Sequence, residues 1–338
     1  MTIGSVPLVD IVMPTYNHQK FIAQAIESVL AQETDFAYRL LIGDDCSTDG
    51  AREIISSYAE RYPDRIEAFL FSPRVGAFDR DRVGVRLLRQ SEAKYIALLE
   101  GDDYWTDPRK LQKQVDYLES HPACSLCFHD ATMFYEDGSE PPRRLCAPDQ
   151  KAISTLEDIA AGNFLIPCTI LFRNHLLGEL PDCYYTVRSA DWIMFMLLAQ
   201  HGSLDYINEV MAAYRVHGAG IWSRLNYLQR LREHVRTYEA IDAHLGYSYH
   251  AVISEQISRV RENISEQRTQ HANSCLDTYH SLATGGRFRE ALPLLAQAAR
   301  SRPSAVLRPR RLAAVIKNGL LGAAFGHRLR ARRGAERK

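Results

Sequence analysis

The sequence has no long apolar run; the longest, around "IMFMLLA", is far too short to cross a bilayer. It has no net charge either. Lys plus Arg and Asp plus Glu number 41 each, which excludes a uniformly basic nucleic-acid binder. Cysteines number seven, an odd count scattered through a chain that opens without a signal peptide, so free thiols in a reducing cytoplasm are expected in place of a disulfide framework. The one C-x-x-C, Cys124 and Cys127, has no second pair or histidine partner at zinc-site spacing. Strand geometry is expected to point these two to opposite faces, and they read as buried thiols. What the chain does have is 46% hydrophobic residues among 338, ample for one large domain or for one domain with an appendage.

Charge is balanced in sum but not in distribution. Residues 301–338 hold eleven basic side chains against the single acid Glu336, a tail of about +10 that leaves about −10 on the rest. Apolar clusters, Leu312 to Ile316 and Leu320 to Phe325, lie between these arginines. Such a segment is expected to lie on an anionic inner leaflet, peripheral to the membrane of a cytoplasmic protein.

The first 105 residues alternate between two periodicities. "LVDIVMP", "YRLLIG", "IEAFLF" and "KYIALL" are strand candidates separated by helix-length spacers such as "HQKFIAQAIESVLAQ", where Ile22, Ile26, Val29 and Leu30 recur at helical spacing. Ser47, Thr48 and Asp49 are N-cap candidates for the second helix. This order predicts a parallel sheet with helices on both faces. Beyond Asp103 the pattern is mixed. "DPRKLQKQVDYLESHP" predicts a helix, "CSLCFHDATMFYEDG" and "FLIPCTILFRN" strands, "SADWIMFMLLAQHG" an apolar helix with Trp192, Phe195 and Met196 on its buried face, and "LDYINEVMAAYRVH" a strand pair. From about Arg224 to Arg300 the pattern is helical, with a helix pair around Gly285 and Gly286 similar to a tetratricopeptide-type unit. The domains expected are 1–223, with a nucleotide-binding half 1–105 and an acceptor half 106–223, then a helical appendage 224–300 and the basic tail 301–338.

Two acidic stretches fall at predicted strand ends: Gly43, Asp44, Asp45 and Gly101, Asp102, Asp103, the latter preceded by Glu100. In a doubly wound sheet, ligands bind outside the carboxyl ends of the strands. Carboxylates there can accept hydrogen bonds from a ribose or base, or offer hard oxygen ligands to Mg²⁺ or Mn²⁺. The structural alternative is an Asx-type turn at Asp44 and Asp45 and a helix cap at Asp102.

The segments "DIVMPTYNHQKFIAQAIESVLAQ", "LLIGDDCSTDGAREII", "KYIALLEGDDYWTDPRKLQKQVDYL", "SADWIMFMLLAQHG" and "YRVHG" stand in the order and spacing of the family 2 glycosyltransferases, which the chain resembles over roughly residues 6 to 220. The resemblance implies the GT-A fold, a Rossmann-like mixed, mainly parallel sheet with helices on both faces, here followed by an all-α appendage. It also implies a nucleotide-sugar donor, with a UDP-sugar expected, a divalent cation (Mn²⁺ or Mg²⁺), and a hydroxyl acceptor on a glycan or lipid-linked glycan in bacterial surface polysaccharide or lipopolysaccharide assembly.

By the same resemblance, Pro14, Thr15 and Tyr16 line the nucleotide pocket with Asp44 and Asp45 toward the base. Asp102 contacts the ribose, Asp103 the metal, and His217 approaches the metal or diphosphate. Asp191 is the catalytic base of a one-step displacement, which inverts the anomeric centre. The chain departs from the family pattern at Ala190, where a glutamate is usual, and in "PRVGAFDRDRVGVRLL", which carries Arg74 and Arg82 where asparagines are usual. Trp105 reads equally as core or as a wall of the acceptor pocket, and His129 with Asp130 as a capped strand end. The competing classes are a sugar nucleotidyltransferase, which needs a Gly-rich basic loop where "PTYNHQK" stands, and a non-catalytic scaffold recruited to membrane.

Overall fold

The computed structural model describes residues 6–76, 78–285, 287–306 and 315. The chain divides into two compact units, Met1–Ile257 and Ser258–Lys338.

The first unit opens with the predicted alternation: β1 (Val9–Thr15), α1 (Ile22–Leu30), β2 (Tyr38–Asp44), α2 (Ala51–Arg61), β3 (Ile66–Leu70), α3 (Val83–Gln90) and β4 (Tyr95–Leu98). The four strands are parallel in the order β3-β2-β1-β4. Burial of β1 on both faces explains its near-continuous apolar run. β5 (Tyr104–Trp105), α4 (Lys110–Ser120) and β6 (Cys124–Tyr135) follow, then β7 (Arg143–Arg144), β8 (Ile153–Ser154) and α5 (Leu156–Ala161). β9 (Ile170–Arg173), α6 (Ala190–Ala199) and β10 (Ser203–Val216) complete a ten-stranded sheet of order β3-β2-β1-β4-β9-β6-β10-β5, in which β7 joins β6 and β8 joins β10.

Four local expectations change. The segment expected to be a strand pair is the single strand β10, Ser203–Val216. Register shifts between Ile207 and Val210 and between Val210 and Ala212 let β10 follow β6 without breaking. β9 is shorter than the apolar run suggests, because Pro167 leads a 3₁₀ turn up to Thr169. Cys124 and Cys127 are both buried in the core under α1, α2 and α4, because a register shift beside Cys124 inserts one residue and cancels the odd spacing. At α2 the N-cap position is Gly50, with φ +95, while Asp49 Oδ1 accepts the Ala51 N–H at 3.1 Å.

The first unit continues beyond residue 223 into α7 (Tyr227–His244), because Tyr238 donates its hydroxyl proton to the Ala161 carbonyl at 2.8 Å and packs edge-on against Trp192. Trp192 itself donates to Ile159 O at 2.7 Å on the buried face of α6. α8 (His250–Thr284) crosses into the second unit, which contains α9 (Phe288–Ser301) and α10 (Pro303–Val306) around Ala272, Leu276, Ala298 and Ala305. Apart from its first residues and Val315, the basic tail lies outside the described residues, and with it the expectation of membrane association. No described helix is long and apolar enough to cross a membrane.

Candidate active site

β1 has β2 on one side and β4 on the other, so the carboxyl ends of β1 and β4 flank the point where strand order reverses. The turn after β4 comes very close to that after β1. A Cβ on Gly101 would lie 2.7 Å from Thr15 Oγ1, which is why glycine stands between Glu100 and Asp102.

Asp102 and Asp103 are held by Arg215, near the end of β10. Its backbone N–H donates to Asp103 Oδ1 at 2.8 Å and its Nε to the Asp102 carbonyl at 2.9 Å. Its Nη2 donates to Gln24 Oε1 at 2.6 Å, and Nη1 pairs with Glu136. The guanidinium also lies over the rings of Phe21 and Phe134, 4.5 and 4.9 Å from their centroids. Two residues further on, His217 brings Nε2 to 3.0 Å from Asp102 Oδ2, and His18, from the loop after β1, comes to 3.5 Å from the same oxygen. The Phe21 ring packs on His217 with centroids 4.8 Å apart.

The three acids differ in environment. Asp103 is 2% exposed, with Oδ2 buried and lacking a protein hydrogen-bond acceptor or donor at ordinary geometry. Burial, reinforced by Asp102 and Glu100, pushes its carboxyl well above the usual range. Burial works against ionisation of Asp102 too, but His217 and His18 outweigh it and hold that carboxyl below its ordinary value. Glu100 is pushed up to about 8, by burial first and then by Asp102 and Asp191. The ligand-capable atoms of His18, Asp102 and His217 lie within 4.8 Å of one another, as do those of Glu100, Asp102 and Asp103. Asp102 Oδ1 and His18 Nδ1 are buried without partners among the described residues. A carboxylate with one orphaned oxygen and two imidazoles at the other is a donor set that fits Mn²⁺ better than Mg²⁺, which prefers oxygen ligands throughout.

On the β1–β2 side, Thr15 is buried with its hydroxyl unpartnered, while Pro14 and Tyr16 are partly exposed. Asp44 does not reach the cleft. It is fully buried, accepts from the Ser47 N–H at 2.9 Å and the Ser47 hydroxyl, and lies 3.6 Å from Arg52 Nε. This is the turn-forming alternative, and it separates Asp44 from the predicted nucleotide pocket. Asp45 is turned toward the loop after β3: Oδ1 accepts Val75 N–H at 2.7 Å and Oδ2 accepts Gly76 N–H at 3.0 Å.

Asp191 sits in the first turn of α6. Burial pushes its carboxyl up to about 6, opposed by the N–H groups of Trp192 and Asp191 and by Arg82. Arg82 lies over the Tyr184 ring, 4.0 Å from its centroid, and donates to the Tyr184 carbonyl. Trp105 belongs to the core, 4% exposed with Nε1 donating to Cys168 O at 2.9 Å. His129 is fully buried, and Asp130 accepts the N–H groups of Ala131, Leu145 and Cys146; both lie in the middle of β6 and not at the capped strand end expected, because the strand runs on to Tyr135.

His18 and Arg215 are the two site residues absent from the sequence assignments. His18 could have been found from its place, three residues past a strand that ends at the switch point. Arg215 stands two residues before His217 in the quoted "YRVHG", which could have drawn attention to it.

A mainly parallel sheet with carboxylates and imidazoles gathered after β1, β4 and β10, and a further carboxylate in the first turn of α6, is the arrangement of a GT-A glycosyltransferase. Residues 10–177 match the model for glycosyl transferase family 2. The chain is 36% identical over 245 residues to the putative glycosyltransferase EpsE of Bacillus subtilis, covering 70% of this chain and 83% of that protein. It belongs to glycosyl transferase family 2. It is 29% identical over 212 residues to the putative teichuronic acid biosynthesis glycosyltransferase TuaG of Bacillus subtilis, covering 62% of this chain and 79% of the other. With uncharacterized protein Rv1520 of Mycobacterium tuberculosis it shares 35% identity over 213 residues, 63% of this chain, and the match spans only 60% of that longer relative.

Among solved structures, the fold is like that of Staphylococcus aureus TarS 1-349 in complex with UDP-GlcNAc, with TM-score 0.56, 17% identity, and coverage of 87% of this chain and 88% of the other. It is also like the mannosyltransferase PcManGT from Pyrobaculum calidifontis in complex with GDP-Man and Mn²⁺, with TM-score 0.51, 16% identity, and coverage of 95% and 88%. These likenesses bear out the GT-A fold expected from the sequence.

Proposed function

We propose that this protein transfers a sugar from a nucleotide-sugar donor, expected to be a UDP-sugar, to a hydroxyl of a glycan or lipid-linked acceptor, with inversion, in assembly of a cell-surface polysaccharide. The observation that carries the reading is Asp102, whose Oδ2 is approached by both His217 and His18 while its Oδ1 has no partner among the described residues, with Asp191 in the first turn of α6. TarS was solved with a UDP-sugar, PcManGT with a GDP-sugar and Mn²⁺, and TuaG is named for a polysaccharide pathway, all of which support it.

In this reading Pro14, Thr15, Tyr16 and Asp45 hold the nucleoside. Asp102 and His217, with His18 beside them, hold the cation, while Asp103 fixes the turn to β10 through Arg215. This moves to Asp102 the metal role that the resemblance implied for Asp103, because Asp103 is the more deeply buried and already accepts a backbone N–H. The bound cation supplies Lewis-acid neutralisation of charge on the departing diphosphate. Asp191 takes the proton from the acceptor hydroxyl. A carboxyl raised to about 6 is a stronger base than an ordinary aspartate yet still ionised at neutral pH. Arg82 and Tyr184 flank it and orient the acceptor.

The test is thermal shift and nucleoside diphosphate release with a panel of nucleotide sugars in Mn²⁺ or Mg²⁺. Stabilisation by a nucleotide sugar with metal-dependent release is expected. No stabilisation by any donor or nucleoside diphosphate contradicts the reading and favours the scaffold alternative.

A further inference from the structure

The loop after β3 is folded back on the two residues read above as facing the base. The Arg74 guanidinium carbon lies 3.6 Å from the centroid of the Tyr16 ring, and Arg74 Nε is 3.5 Å from Asp45 Oδ2. Both Asp45 oxygens already accept from consecutive backbone N–H groups, those of Val75 and Gly76. Gly76 has φ +83, the left-handed conformation that lets neighbouring amides converge on one acceptor. A flat, delocalised group thus lies on the aromatic face with its N–H edge toward a carboxylate. A heterocyclic base with a ring N–H would make the same two contacts.

From this we infer that Arg74 is a specificity-determining residue, the site's own occupant of the base position, which a nucleoside diphosphate must displace. The inference rests on the proposed function. It follows from the contacts because the face of the Tyr16 ring and the space beside Asp45 Oδ2 that Arg74 fills cannot also hold a base, even though each Asp45 oxygen keeps a lone pair for a further donor. The bases able to compete are those that present a ring N–H to Asp45, as uracil and guanine do. Bases without one, such as adenine and cytosine, offer Asp45 only an exocyclic amine beside a ring acceptor. The Arg74 side chain is 54% exposed, so it can swing into solvent without opening the core.

The sign of the Arg74→Ala effect decides the matter. Removing a cation near a diphosphate site weakens binding of the anion if Arg74 serves the phosphates or acts only through its charge. Displacement predicts the reverse. In calorimetric titrations of the full chain with Mn²⁺, Arg74→Ala is expected to bind UDP or GDP roughly three- to tenfold more tightly than wild type, with pyrophosphate affinity no higher than before. Unchanged or weaker UDP and GDP binding in a variant with wild-type melting temperature would overturn the inference while leaving the proposed function standing. Failure of both wild type and variant to bind any nucleoside diphosphate would overturn both.

Discussion

His217 Nε2 lies 3.0 Å from Asp102 Oδ2, joining the end of β10 to the turn after β4 across 115 residues of sequence. Asp102, like Asp103, has a second oxygen without a partner among the described residues, but only Asp102 is approached by His18 as well as His217. If these three hold the cation, His217→Ala and Asp102→Asn should each weaken Mn²⁺ binding in the presence of nucleoside diphosphate by about tenfold or more. His18→Ala should do so less, and Mn²⁺ electron paramagnetic resonance titration measures all three. Equal loss on Asp103→Asn, with the fold intact, would return the metal role to Asp103.

Arg215 acts as a positioning residue. Its side-chain contacts to Asp102, Gln24 and Glu136 and its seat against Phe21 and Phe134 require the forked guanidinium, whereas its bond to Asp103 comes from the backbone N–H. Arg215→Lys keeps the charge and should destabilise the fold by only about 1–2 kcal/mol. Its turnover should fall more than that loss explains, with Mn²⁺ affinity falling alongside. Urea denaturation paired with metal titration separates the two effects.

Asp191 must be ionised to accept a proton, and its carboxyl is pushed up to about 6. The rate should therefore fall about tenfold per pH unit below that value and level off above it. Arg82 lowers this value, so Arg82→Gln should move the acidic limb of the kcat/KM profile to higher pH. An unmoved limb would place the titrating base elsewhere.

Lys110 is fully buried, with Nζ lacking a hydrogen-bond partner and lying 3.9 Å from the Trp105 ring centroid. Burial lowers its amine to about 7. Between that value and the unfolded value near 10, the unfolded chain carries a proton here that the folded chain does not. Stability should then rise with pH across this window, by up to about 1.4 kcal/mol per unit. Lys110→Met should raise stability at pH 7 by about 1–3 kcal/mol and flatten that slope, as read from denaturation at pH 7 and pH 9.

The parallel half of the sheet was legible because burial on both faces writes β1, β2 and β4 as apolar runs, and because the acidic stretches lie where those strands end. β10 was misread as a pair because its register shifts expose Asn208 and Glu209 mid-strand, which looks like a turn. The different surroundings of Asp102 and Asp103 were not legible. They are set by Arg215, 112 residues from Asp103, and by His18, whose segment resembles the family without marking the histidine. Asp44 looked like a ligand because its neighbour Asp45 shares its chemistry; only the structure shows it turned inward to Ser47 and Arg52.

The most direct test is Asp191→Asn, assayed for donor binding and for nucleoside diphosphate release from the donor that the panel identifies. Binding within about twofold of wild type with release slowed at least about a hundredfold is expected of a base removed from an otherwise intact site. Release at close to the wild-type rate would contradict the assignment of Asp191 and the mechanism built on it.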